Sequence, residues 1–167
     1  MFQPLLQVFD WDGVLYNEAG YQLPGRDATG LASLLGTFSP DNMQVFPAAV
    51  KCLEELLSRG YMIGLCSNRR LGTVPGDQFL FCLEEDNMDR YFHIYSLCHE
   101  DCDPSDYCKT PRLQWMLSEA KKCHPEIKDL ILYDDVPEHV EAAVQAGLRA
   151  VRINPLMGLQ RFNLQWS

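Results

Sequence analysis

The sequence predicts an α/β fold, a three-layer α/β/α sandwich around a parallel five-stranded sheet. Three observations predict it. Short apolar runs of strand length recur along the chain with little alternation of apolar and polar residues, which is how strands buried on both faces read. Segments with apolar residues at helical spacing stand between them, and strands alternating with helices imply a parallel sheet with right-handed crossovers. Carboxylates or a serine stand at the ends of three of the runs, and in open α/β sheets the ligand crevice lies outside the carboxyl ends of the strands.

The first run, Leu5, Leu6, Gln7, Val8 and Phe9, ends on Asp10, Trp11, Asp12 and Gly13. Two carboxylates one residue apart stand where the strand stops, and Gly13 lets the chain turn sharply there. Residues 17–44 hold Gly20, Pro24, Gly25, Gly30, Gly36 and Pro40, and read as a short irregular insert with one helix near 29–35. Pro47 opens a helix whose stripe is Ala48, Val50, Cys52, Leu53, Leu56 and Leu57, and Gly60 caps it.

Residues 61–66 form the second strand, ending on Ser67, Asn68, Arg69 and Arg70. A loop with Gly72, Pro75 and Gly76 leads to a helix expected over about 78–88, and 93–97 is a short third strand. A polar loop runs from Cys98 to Lys109, after which Thr110 reads as an N-cap with Pro111 at the first helical position. That helix continues through Leu113, Met116, Leu117 and Ala120. The fourth strand, 130–133, ends on Asp134 and Asp135; Pro137 opens a helix ending at Gly147, and 150–153 is the fifth strand. There are no repeats and no low-complexity segments.

A length of 167 residues fits one domain spanning 1–167, and 47% hydrophobic with 22% charged residues is ordinary globular composition. The formal charge of -9 argues against nucleic-acid partners, which need Lys and Arg to neutralise phosphates. Any anionic substrate then needs local help from a metal or a few placed cations. The seven cysteines are odd in number and several fall in apolar periodic segments, so free thiols in a reducing cytosol are expected. No basic N-terminal region precedes the first apolar run, and no run is long enough to span a bilayer. A cytoplasmic protein with no membrane partner is the expectation.

Four carboxylates gathered on one rim would take up protons unless a cation sits among them. Oxygen ligands with room for water and a phosphate suit Mg²⁺. A carboxylate can act as nucleophile, and a second acid two residues on can protonate a leaving oxygen and later activate water. The Ser67 hydroxyl can donate to a phosphoryl oxygen and Lys109 can offset its charge. Together these residues read as metal-assisted phosphoryl transfer through an aspartyl enzyme.

Over residues 5 to about 154 the sequence resembles the haloacid dehalogenase (HAD) superfamily. Its first motif matches Phe9-Asp10-Trp11-Asp12-Gly13-Val14, and its second matches Ile63-Gly64-Leu65-Cys66-Ser67-Asn68. The fourth matches Leu132-Tyr133-Asp134-Asp135 running into Val140-Glu141-Ala142-Ala143 and Ala146-Gly147. The third is a lone lysine, for which Lys109 is the best placed; Lys121 and Lys122 sit late in a helix, away from the rim.

The resemblance implies roles residue by residue. Asp10 is the nucleophile; Asp12 is the general acid and base and gives its backbone carbonyl to Mg²⁺. Ser67 and Lys109 hold the transferring phosphoryl group. Asp135 is the main fourth-motif metal ligand and Asp134 a neighbouring acid, giving Asp10, Asp12, Asp134 and Asp135 as the metal set. His139 stands where many members place Asp or Asn. The second Asp of the first motif points to the phosphatase branch.

Asn68 and Arg69 follow Ser67 and are candidates to contact substrate, with solvated arginines the bland reading of Arg69 and Arg70. Trp11 is assigned to core packing. Cys98, His99, Cys102 and Cys108 do not have a recognised zinc spacing, so no stoichiometric zinc is expected. Short segments after the first and second motifs leave no room for a full cap domain. An open site suits a phosphoprotein or another extended phosphorylated substrate. The alternatives are a small-metabolite phosphatase of the sugar or histidinol type, and an inactive HAD fold used as a binding module.

Overall fold

The computed structural model describes residues 1–17, 45–99 and 108–167. The expected helix near 29–35, most of the 17–44 insert, and Cys102 lie outside the described residues.

Five parallel strands form one sheet in the order β3-β2-β1-β4-β5. They are β1 (Leu5–Phe9), β2 (Ile63–Leu71), β3 (Ile94–His99), β4 (Asp129–Asp134) and β5 (Arg149–Arg152). Helices α1 (Pro47–Ser58), α2 (Val74–Glu85), α3 (Lys109–Cys123) and α4 (Pro137–Gln145) fill the connections. β1 has neighbours on both edges and helices on both faces, so every residue in it is buried. Its side chains alternate between two apolar clusters. Leu5 and Phe9 pack with α1 and α2 through Leu53, Leu56 and Phe79, while Leu6 and Val8 pack with α3 and α4 through Leu113, Met116 and Ala143. The three layers follow.

Gln7 is the polar interruption of β1, fully buried. Its amide donates to Gln165 O at 2.9 Å and its carbonyl accepts from Tyr133 Oη at 2.8 Å. Tyr133 Oη in turn accepts from Gln165 N–H at 2.9 Å. The C-terminal tail thereby docks onto the sheet, helped by buried Leu159 and Leu164 and by Arg59 stacked 4.2 Å over the Trp166 ring. In the sequence, Phe162, Leu164 and Trp166 of the tail fit docking onto the domain and a partner contact equally well.

Element boundaries depart from the expectation most at β2, α2 and α3, and β3 runs on through Cys98 and His99, which read as the start of the polar loop. β2 does not stop at Cys66: its backbone stays paired with β3 as far as Leu71, with a register shift between Ser67 and Arg70. A polar run reads as a loop, yet the hydrogen-bonding edge of β3 carries it on as a strand. α2 begins at Val74, inside the expected loop, with Thr73 as N-cap and Pro75 in the first turn. Gly76 is there because a Cβ would strike the Arg70 carbonyl, so the helix start can lie against the end of β2 only with glycine. The helix ends at Glu85 rather than Met88, which opens a separate 3₁₀ turn (Met88–Tyr91) behind Asn87 at φ 50°. α3 starts two residues early, at Lys109, with Cys108 as N-cap; Thr110 sits inside the first turn and its buried hydroxyl has no partner among the described residues.

Among the described residues no helix is long and apolar enough to cross a membrane, and Cys52, Cys66, Cys82, Cys98, Cys108 and Cys123 are free thiols.

Candidate active site

β1 is the strand at which the chain changes direction across the sheet, since β2 and β3 lie to one side of it and β4 and β5 to the other. The crevice of such a sheet opens at the carboxyl ends flanking that switch. Phe9 pairs with Tyr133, so Asp10 and Asp134 emerge at the same level on adjacent strands. Phe9 also pairs with Leu65, which places Ser67 just beyond it on the other side.

Lys109, at the first position of α3, enters this gap. Its ammonium lies 2.8 Å from Asp10 Oδ1 and 2.6 Å from Asp134 Oδ2. Lysine is only 2% exposed here, so the charge persists because two carboxylates face it. Asp134 has further partners: Oδ1 accepts from Val136 N–H at 2.9 Å, and Oδ2 is 3.1 Å from His139 Nδ1. His139 therefore holds Asp134.

These contacts divide the acids. Burial drives Asp10 well above the usual carboxylate range; Lys109 opposes it, while Asp134 and Asp12 push the same way as burial. Asp135 is also raised, first by burial and then by Asp134. Burial acts upward on Asp134 as well, but the His139 hydrogen bond and the Lys109 charge outweigh it and the net shift is downward. Lys109 is raised, its burial overcome by Asp10 and Asp134.

Asp10, Asp134 and Asp135 each offer an oxygen, and these atoms lie within 4.8 Å of one another. Three carboxylates beside one ammonium carry a surplus of two negative charges, the amount a divalent cation offsets. The donors are all hard oxygens, which suits Mg²⁺. Gly13 keeps the cluster open: at φ +73° its backbone is in the left-handed region, and a Cβ there would stand 2.6 Å from Asp135 Oδ2.

Asp12 is placed differently. Arg69 grips it with a two-pronged ion pair, Nε to Oδ2 at 2.8 Å and Nη2 to Oδ1 at 2.6 Å. Arg69 is 8% exposed, so it is no solvated surface arginine. Its backbone N–H donates to Ser67 Oγ at 3.2 Å, and its guanidinium lies 5.7 Å from the centre of the Tyr16 ring. Trp11 packs in the core between Tyr16 and Phe79. Lys121 and Lys122 lie in the last turn of α3, far along the helix from Lys109.

Arg112 belongs to the site framework and escaped the sequence reading. Its guanidinium donates to Ser96 Oγ (2.9 Å), Ser96 O (2.6 Å), Ser67 O (2.7 Å) and Asn68 Oδ1. It thus clamps β2 to β3 beside the point where their register shifts, and it engages Asn68. The available signal was its spacing: three residues after Lys109, it lies on the same face of the helix.

A parallel sheet with its polar residues collected at the switch strand defines a Rossmann-like α/β fold. More narrowly, it is the fold of HAD-superfamily hydrolases. Solved structures with this fold include a HAD-superfamily hydrolase from Ehrlichia chaffeensis (TM-score 0.59, 17% identity, 98% of this chain and 93% of that one). A hydrolase from Streptococcus pneumoniae matches at TM-score 0.56 and 20% identity over 98% of this chain and 96% of its own. The D,D-heptose 1,7-bisphosphate phosphatase from B. bronchiseptica, complexed with magnesium and phosphate, matches at TM-score 0.54 and 18% identity over 87% and 78%. No protein-family model and no curated protein matches the sequence.

Proposed function

We infer that the protein is a Mg²⁺-dependent phosphomonoester hydrolase working through an aspartyl-phosphate on Asp10. The observation that carries this reading is the Asp10–Lys109–Asp134 arrangement with Asp135 beside it. The naming of several similarly folded proteins as hydrolases, one of them a sugar bisphosphate phosphatase, supports it.

Asp10, Asp135 and the Asp12 backbone carbonyl are the residues that would hold Mg²⁺, with Asp134 fixing Lys109 next to them. The ion, when bound, neutralises phosphoryl oxygens and lowers the repulsion between substrate and the acidic rim. Asp10 attacks phosphorus, and the bond from phosphorus to the leaving oxygen breaks as Asp12 delivers a proton to that oxygen. Asp12 then takes a proton from water as the water attacks phosphorus, the Asp10–phosphorus bond breaks, and phosphate leaves. Lys109 and Ser67 offset the charge on the equatorial oxygens, and Asn68 and Arg69 contact substrate. The short segments around the first two motifs favour an open site, and with it a phosphoprotein or other extended substrate.

The test is turnover of p-nitrophenyl phosphate. Mg²⁺ should support it, EDTA should abolish it, and Asp10→Asn should reduce it to background. Full activity in EDTA would remove the metal from the mechanism, and persistent activity in Asp10→Asn would remove the covalent step.

A further inference from the structure

We propose that the turn at 154–158 is a specificity lip of the candidate active site, with Leu156 and Met157 seating an apolar side chain that flanks the phosphorylated residue of a protein substrate. This rests on the phosphomonoester hydrolase reading above and narrows its extended substrate to phosphoproteins with a large apolar residue close to the phosphoryl group.

The turn is tied to the site at both ends. Just before it, buried Ile153 donates its N–H to Asp134 O at 2.9 Å; just after it, buried Leu159 donates to Val14 O at 2.8 Å. It therefore bridges the ends of β4 and β1, the two strands whose acids form the oxygen cluster. Pro155 reaches that cluster: a Cβ on Gly13 would lie 2.6 Å from Asp135 Oδ2 and 3.0 Å from Pro155 Cβ. Gly13 follows Asp12, the residue assigned to protonate the leaving oxygen. The turn thus borders the crevice on the side of the leaving group.

Leu156 is 79% exposed and Met157 48%, whereas Leu159 and Leu164 further along the tail are buried in the core. Two successive large apolar side chains are left in solvent at the mouth of an acidic crevice, and the turn fixes them there. Asn154 O accepts from Met157 N–H at 3.0 Å and Gly158 N–H at 2.9 Å, and Asn154 Oδ1 accepts from Leu156 N–H at 3.0 Å. A pair held in place by its own turn loses little further freedom when covered, and covering it takes apolar surface out of water. A permanent partner seated here would obstruct the crevice that the turn borders. An apolar side chain delivered with the phosphoryl group arrives and departs with the substrate.

The experiment is calorimetric binding to the unmodified chain in Mg²⁺. The ligands are glycine-flanked peptides in which phosphoserine is replaced by its non-hydrolysable phosphonate, with leucine placed at each flanking position in turn. At one position leucine should tighten binding roughly tenfold, the scale of burying most of one such side chain. Leu156→Ser combined with Met157→Ser should bring that ratio close to one without lowering the melting temperature. Val144→Ser, which removes an exposed apolar side chain near the end of α4, should keep the ratio. Equal affinities for all the peptides, a ratio that survives the double variant or is lost with Val144→Ser, or no binding of any peptide overturns the proposal. So does a lower melting temperature of the double variant, which assigns the pair to the chain's own packing, or a change in its oligomeric state, which assigns it to a second copy. Turnover of p-nitrophenyl phosphate is scored separately: its absence refutes the hydrolase reading, while the leucine ratio still decides the lip.

Discussion

Lys109 Nζ lies 2.6 Å from Asp134 Oδ2, and both side chains are out of solvent. The same ammonium reaches Asp10, so one cation joins the ends of β1 and β4. Removing one partner of a buried pair costs about 3–5 kcal/mol. Lys109→Met should therefore lower the unfolding free energy in urea by about 3 kcal/mol or more and abolish turnover. Lys109→Met combined with Asp134→Leu should regain most of the stability and none of the activity. A Lys109→Met protein as stable as the unmodified chain would show that the Lys109–Asp134 pair does not hold β1 and β4 together.

Asp10 gives a pH signature in the metal-free protein. A carboxyl raised in the folded state stabilises below its unfolded pKa of about 3.9, and that contribution is lost as pH rises through the raised folded value. Melting temperatures in EDTA should fall for the unmodified chain as pH climbs from acid to neutral. Asp10→Asn should lack that part of the fall, so the variant becomes the more stable protein at neutral pH. Mg²⁺ should close the gap. Parallel melting curves for the two proteins would argue that Asp10 is not held above its usual range.

Asp12→Asn keeps the backbone carbonyl and removes the acid and base. The loss of general acid–base help is about a hundred- to ten-thousand-fold. In single-turnover measurements an aryl phosphate, whose leaving group needs little protonation, should tolerate the change better than an alkyl phosphate. Equal losses for both would assign the proton to another group.

Gly13→Ala forces a side chain at φ +73° into the space of the Asp135 carboxylate. The backbone cost alone is on the order of 1–3 kcal/mol, and the displaced Asp135 should weaken Mg²⁺. The measurement is the rise in melting temperature on titrating Mg²⁺, expected to shrink or move to higher concentration. An unchanged titration would take Asp135 out of the metal set.

Tyr133→Phe leaves Gln7 Oε1 and Gln165 N–H without their buried partner. An unsatisfied buried group costs about 1–3 kcal/mol. The tail should loosen with it, read as a red shift of the fluorescence of Trp166, with Trp11 and Trp115 each replaced by Phe in the background. A stability loss with Trp166 unmoved would mean that the apolar contacts of Leu159 and Leu164 hold the tail alone.

The alternation of strands and helices in a parallel sheet and the carboxylates at its rim were legible because they rest on patterns that tertiary contacts seldom override: continuous apolar runs, proline at helix starts, and carboxylates where runs end. Ser67, Asn68, Arg69 and Arg70 were harder. Their polarity says loop, and only the ladder to β3 makes them strand. The Arg69 fork was likewise invisible, because the partner of an arginine 57 positions away is chosen by the fold and not by local spacing. Gly76 misled for a related reason: glycine marks a loop in sequence, whereas here it marks a helix lying too close to a strand for any other residue.

The clamp made by Arg112 has a bearing on how this chain tolerates change. Arg112 and Lys109 stand one turn apart on α3, and the first is bolted to Ser67 O and Ser96 O while the second meets Asp10 and Asp134. The helix start is thus registered against four strands by side chains of its first turn. Insertions or deletions between β3 and α3 can then accumulate without shifting the cation. Divergence in the length of that segment gives the lineage a place to alter what approaches the rim while the reacting groups keep their spacing.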